Sequence, residues 1–284
     1  MDLGNQLLST QVYQNAKNFD NVEVKEVPGF TVFYLPMNTQ KAPTDDVHVR
    51  RAISHAADYD QYLENLGGGE RIPASVPKNM PGYNDELEPY TFDLDKAEEE
   101  LNKADYSIDE INNAGIEFAF DATSSSVQRP IALSMKDNLS KIGITNVELG
   151  ALQWPQTVQR AENVDTTPNM HELWVSASFP SPDSFTYGMF HPDSFGSWRS
   201  LPWFTTDELQ STIEEARTST SEDEALELYK EAQQMIHEGA PGAFIGNLFT
   251  RVIVNNNLNG WQFRGISGYD LRWNTMTRTG DGRA

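Results

Sequence analysis

Residues 38–58, NTQKAPTDDVHVRRAISHAAD, place a chain break and an amphipathic helix directly behind an apolar strand end, and no other stretch constrains the fold as tightly. Phe33, Tyr34 and Leu35 read as the end of that strand, and Pro43 interrupts the chain. Thr44 or Asp45 stands where a helix cap belongs, with acidic residues in the first turn. Val49, Ile53, Ala56 and Ala57 then recur at helical spacing as one apolar stripe, with Arg50 and Arg51 off it. Asp58 caps a second short helix through Leu66, which Gly67-Gly68-Gly69 ends.

The rest of the chain alternates strands with helices, the pattern of an α/β lobe. Residues 20–37 read as one or two strands split by Pro28-Gly29, and residues 67–92 as a long proline-rich loop. A helix over 94–104 buries Leu94, Ala97, Leu101 and Ala104. A strand at 116–120 precedes a helix with the stripe Val127, Ile131, Met135, Leu139 and Ile142. Gly143 stops it, and 144–149 is the next strand. A short helix at 157–161 leads to a strand around 171–175. Thr205-x-x-Glu208 and Ser221-x-x-Glu224 read as capping boxes. They open helices with the stripes Leu209/Ile213/Ala216 and Ala225/Tyr229/Ala232/Ile236. Strands at 244–249 and 252–254 follow, then an aromatic-rich segment at 261–276.

Composition excludes several function classes. Acidic residues number 42 against 21 basic, a net charge of −21, which disfavours nucleic acid and anionic membrane as partners. The acidity is spread along the chain and Arg (12) outnumbers Lys (9), the balance of a protein that works in high salt or, alternatively, of an ordinary acidic mesophile protein. There is no Cys, so disulfides, zinc–thiolate sites and thiol catalysis are excluded. No apolar run approaches the ~20 residues of a membrane span.

Few residues suggest chemistry. Of the five histidines, His48, His55, His171, His191 and His237, only His48 and His55, seven apart on one helix, offer even weak metal-ligand spacing, and all five read as solvated or capping groups. Asp93-x-Asp95 is a helix start rather than a calcium loop. Walker, dinucleotide and nucleophile-elbow fingerprints are absent. An aromatic cluster stands out: Trp174, Phe179, Phe185, Tyr187, Phe190, Trp198, Trp203 and Phe204, interleaved with Ser and Pro. Phe185 and Phe190 read as core. Trp174, Ser176, Ser178 and Phe179 are the candidate solute-binding residues, apolar wall with hydrogen-bonding groups, although Trp174 suits a core position equally. No catalytic residue, cofactor or metal site is assigned.

Several segments, taken in order, resemble the family 5 solute-binding proteins, the extracytoplasmic receptors of peptide and nickel ABC importers. Asn38, Pro43, Asp46, Val49, Arg50, Ala52, Ala56 and Asp58 fit the family signature. Pro77, Pro81, Gly82 and Tyr83 are similar to its proline-rich loop, and Asp93, Lys96, Ala97, Leu101 and Ala104 to the helix after it, with Asp105 where the family prefers Gly. Residues 174–185, WVSASFPSPDSF, resemble its ligand loop, and residues 225–236 with Pro241 its penultimate helix and the strand behind. The resemblance implies the C-terminal lobe of a type II periplasmic-binding-protein-like fold, with strands of a truncated first lobe at both ends. Residues 1–33 would be a remnant of that lobe and a hinge strand, 34–255 the second lobe, and 256–284 the return. Both termini would leave from one side.

The implied function is non-catalytic binding of a peptide or other oligomer for an ABC permease. It would take place outside the cytoplasm, with membrane attachment only through an anchor. Such receptors are usually much longer, and MDLGNQLLST lacks the character of a signal peptide, so the chain reads as a C-terminal half: a truncated product, an upstream start or an excised segment. In peptide-binding relatives an acidic residue of the ligand loop pairs with the ligand's amino terminus, and Ser178 stands at that position. Two other functions compete. One is a carboxylate-based hydrolase, which needs two carboxyls 5–10 Å apart with separated pKa values. The other is a fragment that binds nothing because half the cleft is missing.

Overall fold

The computed structural model describes residues 10–262 and 273–279. A short helix α1 (Thr10–Ala16) leads into the long strand β1 (Val22–Pro36), helices α2 (Val47–Ala56) and α3 (Tyr59–Asn65), the short strand β2 (Gly69–Glu70), and helices α4 (Leu94–Leu101) and α5 (Ile108–Ala114). Next come β3 (Ile116–Asp121), α6 (Ser125–Lys141), β4 (Val147–Leu152), α7 (Trp154–Arg160) and the short strands β5 (Met170–His171) and β6 (Leu173–Ser176). The last third holds α8 (Tyr187–Phe190), α9 (Asp207–Thr218), α10 (Glu222–Gly239), the long strand β7 (Gly242–Asn255) and the small hairpin β8 (Leu258–Asn259) with β9 (Thr277–Arg278).

The molecule is an α/β lobe built around one antiparallel ribbon. β1 pairs with β7 from Val22 opposite Asn255 to Pro36 opposite Gly242, so the chain enters and leaves this ribbon side by side. β2 and β6 flank the ribbon in the order β2-β7-β1-β6, and β4-β3-β5 form a separate parallel sheet. From Val32 onward β1 is buried on both faces. Phe33, Leu35 and Met37 enter a core with α2, α3, α6 and the parallel sheet. Val32 and Tyr34 enter a second core with Phe185, Phe190, Ile213 and Ile236. Burying one such aromatic removes 150–250 Å² from water, about 4–6 kcal/mol before entropy is charged against it.

Pro28-Gly29 does not split the first strand. The register slips between Pro28 and Thr31, a bulge that absorbs the residue without an N–H. A Cβ on Gly29 would stand 2.7 Å from Thr250 Oγ1 and 3.0 Å from Leu248 O, so a larger residue would have to displace the Thr250 side chain. The two strands expected at 244–249 and 252–254 are likewise one, because β1 pairs along the whole of β7.

The segment at 38–58 proves to be a scaffold. Asp46, and not Thr44 or Asp45, caps α2: its Oδ1 accepts His48 N–H (2.6 Å) and Val49 N–H (3.3 Å), while Oδ2 accepts Asp105 N–H (2.7 Å). Thr44 instead donates to Asn38 O, and Asp45 accepts from Tyr106 Oη, so both are committed to tertiary contacts. Arg50 is only 4% exposed. Its guanidinium donates to Gly239 O, Ala240 O, Thr44 O and Asp45 O, stapling α2 to the left-handed turn (Ala240 φ 44°) between α10 and β7. Burial lowers its pKa to about 10, opposed by Asp46 and Asp45 nearby, so it stays charged. Asp58 caps α3 through Gln61 N–H, and Gly67 and Gly68 continue at positive φ after it.

Other boundaries move for tertiary reasons. The strand expected at 171–175 breaks at Glu172: β5 joins the parallel sheet and β6 pairs with β1. Glu172 is 1% exposed, and its carboxyl lies beside the Ala132 amide without closing a hydrogen bond. Burial pushes its pKa well above the usual carboxylate range. The strand expected at 144–149 is β4, and the helix expected at 157–161 starts three residues earlier as α7. Thr206, not Thr205, caps α9. Ser221 caps α10, yet the Glu224 carboxylate accepts from Ser219 Oγ, so the reciprocal box is incomplete there; Ser107 and Glu110 form one instead. The proline-rich loop at 67–92 contributes to the core, with Ile72, Ala74, Val76 and Met80 buried. Most of the aromatic-rich stretch at 261–276 lies outside the described residues.

Candidate functional site

The chain between β6 and α9 folds over itself in short helical turns, because Pro and Ser recur too often for a long helix. Ser178 N–H donates to Ser184 Oγ (2.9 Å) and Ser181 Oγ accepts from Asp183 N–H (3.3 Å), which closes the turn Pro182–Ser184. Phe185 and Phe190, both fully buried, anchor this loop in the second core, as the sequence implies. The His191 ring accepts Asp193 N–H and so caps the next turn, Pro192–Ser194.

These turns surround a cavity of about 420 Å³ that opens to solvent. Ser178 and Phe179 line it, both exposed, Phe179 to 45%. The side chains of Trp174 and Ser176 do not. Trp174 packs on Phe33 with ring centroids 5.1 Å apart, against the first core, and Ser176 Oγ shares a 2.9 Å hydrogen bond with Thr31 Oγ1. Ser176 contributes its carbonyl, which accepts from Arg199.

The cavity's charged groups escaped the sequence pattern because they come from separate turns and from α9. Asp183 and Arg217 pair at 3.3 Å, and Tyr229 Oη donates to the same carboxylate (3.1 Å). Burial raises the Asp183 pKa while the Arg217 charge opposes it. The Arg217 guanidinium lies 3.6 Å from the centre of the Tyr187 ring, a cation–π contact. Arg199 sits against Trp198 and donates to Ser184 O (2.9 Å) and Ser176 O. Asp183 is the one carboxylate among the described lining residues, and it is engaged by Arg217, so the paired carboxyls of a hydrolase are not assembled there.

The histidines divide. His48 bonds Glu100 (2.8 Å), while His55 and His237 bond the backbone carbonyls of Thr91 and Pro73. His171 is neither solvated nor a cap: it is buried, bonded to Glu172 O and Thr157 Oγ1, and burial lowers its pKa to about 4. No cluster of three or more His, Asp or Glu could hold a metal among the described residues, and none of the described helices is long and apolar enough to cross a membrane.

Residues 4–197 match the family model "Bacterial extracellular solute-binding proteins, family 5 Middle". The dipeptide-binding protein of Escherichia coli is 27% identical over 262 residues, covering 86% of this chain and 45% of the relative. Heme-binding protein A of Haemophilus influenzae is 29% identical, covering 79% and 41% respectively. Among solved structures, the periplasmic binding protein DppA of Helicobacter pylori in complex with the peptide STSA superposes with a TM-score of 0.83 at 22% identity, over 98% of this chain and 52% of that one. NikA of Brucella suis in complex with Fe(III)-EDTA gives 0.82 at 21%, over 98% and 58%. The chain spans about half the length of the curated relatives it matches. With two thirds of its residues inside the family model and the family fold across its described residues, this chain belongs to the family 5 extracellular solute-binding proteins.

Proposed function

We propose that this chain is the solute-contacting C-terminal lobe of an ABC-importer receptor that binds peptides or other oligomers without transforming them. The observation that carries the reading is the cavity beneath the 174–185 loop, in a family 5 chain, with an aromatic wall at Phe179 and Tyr187 and hydrogen-bonding groups at Ser178, Ser194 and Ser197. Residues 34–255 would form the lobe proper, and the β1–β7 ribbon would carry the chain toward a partner lobe at 1–33 and 256–284. Closure of two lobes on a solute would present the closed form to a permease. The location would be extracytoplasmic, with membrane contact only through an anchor, and the acidic composition suits high salt.

Specificity follows from Ser178. Relatives that bind dipeptides carry that description by name, but a neutral hydroxyl here gives an entering ammonium no counter-charge. Desolvating that cation unpaired costs several kcal/mol. Solutes without a free cationic amine at this end are therefore favoured. Calorimetric titration with free and N-acetylated dipeptides tests this: the acetylated forms bind at least as tightly. Tight binding of free dipeptides, abolished by acetylation, would refute it. A chain that binds neither form would be the non-binding fragment.

A further inference from the structure

The cavity carries an unbalanced positive charge in a chain whose net charge is −21. Its charged lining is Asp183, Arg217 and Arg199. The first two answer each other at 3.3 Å. Arg199 has no carboxylate partner among the described residues; its hydrogen bonds go to the main-chain carbonyls of Ser176 and Ser184. Carbonyls orient a guanidinium but do not neutralise it. They also leave its Nε–H and one Nη1–H without an acceptor among the described residues. The approach to Nε is open because position 188 is glycine: a Cβ there would stand 3.5 Å from it. The Trp198 ring, 5.3 Å from the guanidinium carbon, holds the plane in place.

Resting on the reading of this cavity as the solute site, we infer that it takes a solute with an anionic group, a carboxylate, set against Arg199 and Ser178, with an aromatic or aliphatic body against the exposed Phe179 ring. An arginine presents parallel N–H donors that match carboxylate geometry. The polarity of the subsite is thus inverted: Arg199 lines the same cavity as Ser178, each bonded to Ser184, whereas the resembled peptide-binding relatives place an acid at the position of Ser178. Arg217 cannot serve as the anion receptor while Asp183 and the Tyr187 ring occupy it, so the assignment falls on Arg199 alone.

Three probes with one body separate the cases: N-succinyl-phenylalanine amide (anionic), N-butyryl-phenylalanine amide (neutral and of similar length) and phenylalanine amide (cationic). Each is titrated into the 284-residue chain at low salt, with binding read by calorimetry and tryptophan fluorescence. The succinyl probe binds about tenfold tighter than the butyryl probe, the scale of one charged hydrogen-bonding group. Arg199→Gln brings that ratio to about one while butyryl binding persists. Ser178→Asp, at an exposed position that does not threaten folding, does the same by giving Arg199 an internal counter-ion. Equal binding of succinyl and butyryl probes to the unaltered chain overturns the inference but leaves the solute-site reading intact. Preference for the cationic probe overturns both the inference and the exclusion of amines. Binding of no probe overturns the solute-site reading and the inference with it.

Discussion

Arg50 and Arg199 make the same kind of bond and have opposite uses. Each spreads a guanidinium over backbone carbonyls, Arg50 over residues 44, 45, 239 and 240, Arg199 over residues 176 and 184. Around Arg50 the chain closes completely, with Asp45 and Asp46 near enough to offset the charge. Around Arg199 it stays open, with a glycine beside its Nε and the cavity's one described carboxylate, Asp183, paired with Arg217 instead. The lesson concerns surroundings: a buried cation with its charge offset belongs to the scaffold, and a cation with donors left over at a cavity wall is free to meet a solute.

The contrast between scaffold and site is sharpest for aromatics, and there the largest effect is expected. Phe33 is fully buried in the first core and Phe179 is 45% exposed at the cavity. Phe33→Ala destabilises by about 3–5 kcal/mol and Phe179→Ala by less than ~0.5 kcal/mol, read from urea unfolding midpoints. Comparable losses would mean that the loop is as much core as the ribbon. The arginines follow. Arg50→Ala leaves several buried carbonyls without donors and costs about 3–4 kcal/mol, whereas Arg199→Ala costs about 1 kcal/mol. If the two cost the same, Arg199 is a staple like Arg50.

Glu172 tests the scaffold from another side, since it is buried without the partners Arg50 enjoys. Its folded pKa lies above the unfolded value of about 4.3, so the fold holds the proton that the unfolded chain releases. Stability is therefore lost as pH rises from about 4.3 toward the folded pKa. Glu172→Gln removes that loss. The variant unfolds at higher urea than the parent at pH 7.5, and the gain shrinks to nothing toward pH 4. A gain that is the same at both pH values rules out a shifted proton as its cause. Per charge, the smallest effect is screening. With 42 acidic residues against 21 basic, melting temperature rises between 0.1 M and multimolar KCl, as the Debye length falls from about 10 Å to about 3 Å at 1 M. Probe binding at Arg199 should weaken over the same range, so stability and the anion preference move in opposite directions with salt.

What the sequence determined by itself was local. The stripe Val49, Ile53, Ala56 and Ala57 is fully buried, Asp58 and Asp93 cap their helices, and Phe185 and Phe190 are core, because helical period and capping chemistry involve residues within a few positions of each other. The candidate site was half legible: Ser178 and Phe179 line the cavity, while Trp174 turned to the core it suited equally well. Only the tertiary structure decided the rest. Pairing of Val22 with Asn255 makes one ribbon of what read as broken strands. Glu172 divides a strand between two sheets because its neighbours find different partners, Phe118 opposite Met170 and Tyr34 opposite Leu173. Asp183, Arg199 and Arg217 meet at one cavity across 34 residues of turns and helix, and no period or spacing in a chain encodes where such turns return.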